Sequence, residues 1–431
     1  MGQLGFEEAR HLVARTGIGD EWETIMRYQK LSRQQAIDHL LINRDMSLPT
    51  PPAMTPWIKM VNLRSNMRRK KMVNRISRVE GKNLQSWWVQ HLMATRSPFL
   101  ERMTLFWHNH FPSTIQKTNQ PSMLHLQNMS LRKQAFGNFG QMLHDISRDP
   151  AMLLYLDGYI STKEEPNENF ARELLELFTL GIGHYSENDI REAARAFTGW
   201  GIDDKTGRFV ISAELHDDGV KNFLGKRGNF KGEDIINILL EHPRTAETIA
   251  EKMWHEFINI SKPDQRYTKQ WAQAFRASRY DISTLLKAVL NSEPFWNRTN
   301  RGALIKSPIQ LTIGTLRALP YSPAHIDLAH NLNIMGQAVF AHASVKGWKG
   351  GKTWISTQSL LRRNSMMTNL TSGNLNEHKN RGGIANKLPD ISPQQMREWL
   401  LAIPALQAPP TTSGKQRLAR AFVLDPAYQV T

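Results

Sequence analysis

Cysteine is absent from all 431 residues. That excludes disulfides, thiolate metal ligands, cysteine-held iron–sulfur clusters and cysteine nucleophiles, so the sequence carries no redox mark of its compartment. Any metal site must draw on His, Asp, Glu or amides, which favours a hard or borderline ion. No run of eighteen apolar residues occurs, and the opening MGQLGFEEARHLVARTG is interrupted by acids. Neither a membrane span nor a signal peptide is legible, and the expectation for the sequence as it stands is a soluble, cytoplasmic protein. HExxH, G-x-S-x-G, G-x-G-x-x-G and G-x-x-x-x-G-K-[ST] are all missing, which leaves zincin, serine-hydrolase, Rossmann and P-loop readings without local support.

Acidic residues are outnumbered, 39 against 55 Lys and Arg, for a net charge of +16. The imbalance is uneven. Asp157 to Asp218 holds 14 acids and 6 bases, a net of −8, so the rest of the chain carries +24. Such a field favours anionic partners such as nucleic acid, acidic glycan or anionic lipid, although solubility alone would also account for it. Arg64 to Lys82, RSNMRRKKMVNRISRVEGK, concentrates eight bases and one acid. It reads as a helix that tracks phosphates or an acidic surface, or as a solvated face whose Arg stems cover apolar area.

The periodicity of what remains is helical, and the fold class is mainly α: a multi-helix globular bundle with at most a small β-hairpin. Residues 1–48 read as an N-terminal helical segment, 49–63 as a proline-rich linker, 64–372 as the main helical domain and 373–431 as an extension packed on it. Helices are expected at Leu84–Ala94, Ser97–Phe111, Ser130–Ser147, Asn167–Leu180 and Ser186–Thr198, with more between Gly232 and Ala318. GRFVIS and KTWIS are the short extended candidates. The polar stretch GNLNEHKNRGG after Gly373 reads as mobile. No period of 20 to 50 residues repeats.

Chemistry concentrates in four places. In ERMTLFWHNHF, His108 and His110 lie about 200° apart on a regular helix and cannot share an ion unless the last turn frays. In NENFARELLELFTLG, Asn169, Arg172, Glu173 and Glu176 share one arc, with Asn167 as N-cap and Gly181 as stop. The next helix sets Asp189, Glu192 and Arg195 on a second stripe. If the stripes face each other, Glu173, Glu176 and Glu192 converge with Arg172 and Arg195 near His184; otherwise Arg172 and Glu176 form an ordinary surface pair. LHDDG offers His216, Asp217 and Asp218 as a hard, oxygen-rich group. VKGWKGGKTWIS offers Lys346, Lys349 and Lys352 among glycines, with Trp348 and Trp354 able to stack on a sugar or base.

The segments FWHNHF, GNFGQMLHDISRDPAMLLYLDG, NENFARELLELFTLGIGHYSENDIREAARAFTGW, HDDGVKNFLG, ALIKSP and VKGWKGGKTWISTQSLLRRN resemble, almost end to end, the bacterial family known as domain of unknown function 1800. The resemblance implies no reaction. It does imply a sulfatase-like protein as a neighbour and partner, and, since many members carry an export signal, a periplasmic location as the alternative to the cytoplasm.

The functional expectation is an enzyme, metal-dependent and hydrolytic, acting on an anionic polymer. Glu173, Glu176, His216, Asp217 and Arg172 are its catalytic candidates, and Arg195, Lys346, Trp348 and Lys352 its substrate contacts. His108, His110, Glu173 and His216 are the candidate ligands of a divalent ion. The alternative is a non-catalytic module that binds an acidic protein or polymer. Nucleic acid ranks last, because no nucleic-acid module is recognisable.

Overall fold

The computed structural model describes residues 2–57, 60, 67–323, 326–372, 388–408 and 414–431. The polar stretch after Gly373 and most of 58–66 lie outside the described residues. The chain is mainly α-helical. Helices α1 (Phe6–Thr16), α2 (Trp22–Tyr28) and α3 (Arg33–Ile42) are followed by the long α4 (Met67–Ala94). Next come α5 (Pro98–His110), α6 (Ile115–Thr118), α7 (Pro121–Gln134), α8 (Phe139–Ser147) and α9 (Pro150–Tyr155). The centre holds α10 (Glu168–Glu173), which runs into a π-helical turn at Leu174–Thr179, and α11 (Glu187–Ala196).

Two antiparallel hairpins follow, β1 (Trp200–Ile202) with β2 (Phe209–Ile211) and β3 (Lys221–Phe223) with β4 (Lys226–Gly228). GRFVIS supplies β2, whereas KTWIS closes as a 3-10 turn, Gly351–Trp354, because glycines with positive φ at 350 and 351 curl the chain before an extended segment can form. The second hairpin was not legible in advance; it turns at Leu224 and Gly225, both at positive φ. The later helices include α12 (Gly232–Glu241), α13 (Pro243–Phe257), α14 (Gln265–Ala277), α15 (Ile282–Asn291), α16 (Glu293–Trp296) and α17 (Pro308–Ala318).

Two boundaries differ from the periodicity reading. The basic segment and Leu84–Ala94 fuse into one helix through Gly81, whose missing side chain admits Ile115: a Cβ there would lie 2.8 Å from two Ile115 carbons. Conversely, Ser130–Ser147 divides into α7 and α8 at Gly137, and Asn138 caps the second helix by accepting from the Gln141 N–H.

A minority of the positive charge lies inside. Helix C-termini leave carbonyls unpaired, and buried cations cap them. Arg15 donates to the Phe257 and Ile258 carbonyls at the end of α13, and Arg317 to Leu92, Met93 and Thr95 at the end of α4. Arg132 is paired with Glu101 by two bonds of 2.8 Å, and His91 and Trp88 complete that carboxylate's partners. This buried knot ties α4, α5 and α7 together around a core of Trp88, Trp107, Phe111 and Phe139.

Candidate functional site

Helix α5 stays regular to His110, so its two histidines diverge as the 100° step requires. His108 is wholly buried among Trp88, Phe340 and His342. Its Nε2 accepts the Phe340 N–H at 3.0 Å, which places the ring proton on Nδ1 in the neutral form. Burial drives its pKa well below the ordinary value. His110 points the other way, between Phe111 and Phe178, with Nδ1 2.7 Å from the Lys252 ammonium. Burial pushes Lys252 down to about 7, and its Nζ also donates to the Leu177 carbonyl within the π turn.

Asn109, between them, anchors the glycine-rich loop. Its Oδ1 accepts the Trp348 N–H at 2.5 Å and its Nδ2 donates to the Trp348 carbonyl at 3.1 Å. Gly347, at φ +68°, must be glycine here, since a Cβ would run into Asn109. Through that clamp the loop carries Lys346 to the π turn, where its ammonium lies 3.8 Å from Glu176. A cavity of about 120 Å³ lies beside the clamp, lined by Trp348, Gly350 and Trp354 together with Phe106 and Asn109 of α5.

The π turn decides where the carboxylates go. Its wider winding, marked by the Leu180 N–H reaching back to Leu175, breaks the 100° step beyond Glu173. Glu173 and Glu176 stay close enough for each to feel the other, while Arg172 swings away to pair with Glu168 and Glu187. Burial raises the Glu173 pKa, Glu176 raises it further, and Lys346 and Arg172 oppose the shift. Glu176 accepts the Tyr185 hydroxyl at 3.2 Å. Tyr155, whose hydroxyl is pushed up to about 12 mainly by burial, feels Glu173. Three separate stretches thus meet around the π turn: ELLELF supplies the half-buried carboxylate pair, VKGWKGG sets Lys346 beside Glu176, and FWHNHF holds that loop through Asn109 and packs His110 on Phe178.

The second stripe goes elsewhere. Arg195 donates to Glu192, to both oxygens of Asp217 and to the Val220 carbonyl. That bonding holds the Asp217 carboxyl below its usual value, Arg195 being the main cause. Lys221, fully buried, donates to the Asp217 and Gly219 carbonyls. His216 packs against Thr198, whose carbonyl lies 2.9 Å from its Nδ1. LHDDG is therefore bonded into the joint between α11 and the β3–β4 hairpin.

The expected convergence of Glu173, Glu176, Glu192, Arg172 and Arg195 near His184 does not form: Glu173 and Glu176 stay together, Glu192 and Arg195 join Asp217, Arg172 pairs with Glu168 and Glu187, and His184 is exposed. His108, His110, Glu173 and His216 do not form one metal-binding set: each imidazole faces a different neighbourhood, and no group of three or more His, Asp or Glu side chains is arranged for an ion among the described residues. Lys352 is exposed, and its ammonium makes no hydrogen bond or ion pair among the described residues. Asn109, Tyr185 and Lys252 join the site unanticipated. Asn109 was hidden by its flanking histidines, and Lys252 carries no local signal.

A cavity of about 830 Å³ lies beside α1, α2 and the end of α4 and is lined by none of the candidate site residues. Of the charges that line it, Arg317 pairs with Glu21 at 2.7 Å and caps α4. At the carboxylate pair, by contrast, the Glu173 carboxyl accepts no hydrogen bond among the described residues.

The architecture and site define a helical protein with an acid pair set against a glycine-loop lysine. The chain belongs to the family of proteins of unknown function designated DUF1800, whose model matches residues 11–430. No curated protein and no solved structure matches it. Among the described residues, no helix is long and apolar enough to cross a membrane.

Proposed function

We propose that the chain is a hydrolase for an anionic polymer, working by general acid–base chemistry at Glu173 and Glu176. The observation that carries this reading is the inequality of the pair. Glu173 is shifted upward by burial and by its neighbour, whereas Glu176 is held by Tyr185 and faces Lys346. Two adjacent carboxyls in unequal surroundings divide into a proton donor and a proton acceptor. Glu173 gives its proton to the leaving oxygen, and Glu176 takes one from the water that adds across the broken bond. Lys346 holds an anionic group of the substrate, and Trp348 offers a half-buried ring beside it. Among the described residues no group of three or more His, Asp or Glu side chains is arranged for the expected divalent ion, and the scheme is written for the side chains themselves.

The test is a panel of uronic and sulfated polysaccharides and polyphosphate, with release of new chain ends as readout. Release by the wild-type protein that falls at least about a hundredfold in Glu173→Gln, at unchanged melting temperature, supports the reading. Polymer binding without cleavage would overturn it in favour of a non-catalytic module. Cleavage that survives Glu173→Gln would also overturn it. The sulfatase-like partner belongs to the same proposal, as a protein that would act on the same sulfated or phosphorylated material.

A further inference from the structure

The basic segment of α4 is absorbed by neither the core nor the carboxylate site. Val73, Ser77, Gly81 and Leu84 are buried and fix the inward face of the helix. At 100° per residue the opposite face, an arc of about 120°, holds Lys71, Met72, Arg75, Arg78, Val79 and Lys82. All six are exposed, Met72 by 52% and Val79 by 54%. The four cations lie within about 60° of one another and extend along about 16 Å of helix. No acid shares the arc. Glu80, the nearest in sequence, turns inward to accept from the Thr55 N–H and hydroxyl. None of the four cations makes an ion pair among the described residues, although the molecule pairs many of its other surface cations.

A solvated face would mix signs and omit large apolar groups. A nucleic-acid face would use cations with polar or aromatic neighbours, and a methionine and a valine between the cations add nothing to phosphate contact. Cations alternating with exposed aliphatic side chains on one rigid face match an anionic lipid surface, where the cations meet headgroups and the aliphatic groups enter the acyl boundary. We propose that the outer face of α4 docks the protein on a membrane surface bearing acidic phospholipid. The helix lies in the interface plane and does not span the bilayer. The proposal is independent of the chemistry assigned to Glu173 and Glu176.

The test uses the full chain and sedimentation with phosphatidylcholine vesicles, with and without phosphatidylglycerol. Binding is expected only to the anionic vesicles, and it should weaken as salt rises. Each cation near such a surface contributes about 1 kcal/mol, so reversing all four (Lys71→Glu, Arg75→Glu, Arg78→Glu, Lys82→Glu) should weaken binding at least about a hundredfold. Met72→Ser with Val79→Ser should remove the fraction of binding that survives high salt. Circular dichroism and melting of each variant establish that the fold is retained, which the exposure of all six side chains favours. No binding to anionic vesicles overturns the proposal, as does binding that the fourfold reversal leaves intact. Tight binding to duplex DNA that displaces the vesicles and depends on the same cations, but not on Met72 and Val79, would reassign the face to nucleic acid.

Discussion

The acidic block contains two carboxylate clusters that the sequence does not tell apart. At Asp217 the carboxylate accepts from Arg195 and from the Gly219 N–H, and its pKa is lowered by that bonding. At Glu173 the carboxyl has no such bidentate partner among the described residues, and its pKa is raised by burial and by Glu176. Both clusters hold two acids near a cation. The difference is the completeness of bonding: a carboxylate whose lone pairs are filled by rigid donors holds a hairpin in place, whereas one left short of partners has its pKa moved upward, toward the range that proton transfer requires.

Replacing Glu173 is the sharpest way to test that contrast. Glu173→Gln should cost about 10²–10⁴ in hydrolytic rate with little change in melting temperature. An equal loss from Asp217→Asn would erase the distinction drawn here.

Asp149 asks whether a raised pKa is sufficient on its own. It caps α9 and accepts from Gln127, and burial pushes it up to about 7. Its folded-state pKa lies above the unfolded value, so the native state binds the extra proton, and stability should decline as pH rises from about 4 to about 7. Asp149→Asn should flatten that decline, by up to a few kcal/mol in chemical denaturation, while leaving hydrolysis intact. A fall in hydrolysis would mean that burial alone is a better guide to function than the pairing at Glu173.

At the other cluster, Arg195→Ala should cost about 1–3 kcal/mol in urea denaturation, because it strands Asp217 and Glu192. The contribution of the Asp217 bonds is present above the ordinary Asp range and is lost as pH falls through the lowered folded-state value, so wild type and variant should converge in acid. The smallest effect is expected at Arg172. Its bonds to Glu168 and Glu187 are at the surface, and Arg172→Ala should cost about 0.2–1 kcal/mol, fading as salt is added. A larger cost would show that α10 and α11 depend on this pair.

How much of this was legible beforehand follows from the range of each signal. Helices announced by local periodicity and caps were readable: Asn167 caps the helix it was expected to open, and Ser186 begins the next one. Fusion through Gly81 was not, because it depends on Ile115, more than thirty residues away. Glu173, Glu176, Lys346 and Trp348 were picked out by residue type, and the structure places Lys346 beside Glu176. Their connection through Asn109 needed three-dimensional information, as did the loss of Asp217 to Arg195. The metal set failed as a group because residue type shows which side chains can bind an ion, not which way each will face.

The π turn has one further consequence, for deletions. A winding of this kind holds one residue more per hydrogen-bonded loop than an α-helix does, so a single codon lost between Leu174 and Thr179 could be absorbed by the segment relaxing into ordinary helix. The backbone would survive such a lesion with its length nearly kept. Everything downstream would keep its register, but the widened turn that sets Glu173 and Glu176 relative to each other would be gone, so this is a place where the gene can lose three bases, keep a folded product and still disturb the acid pair.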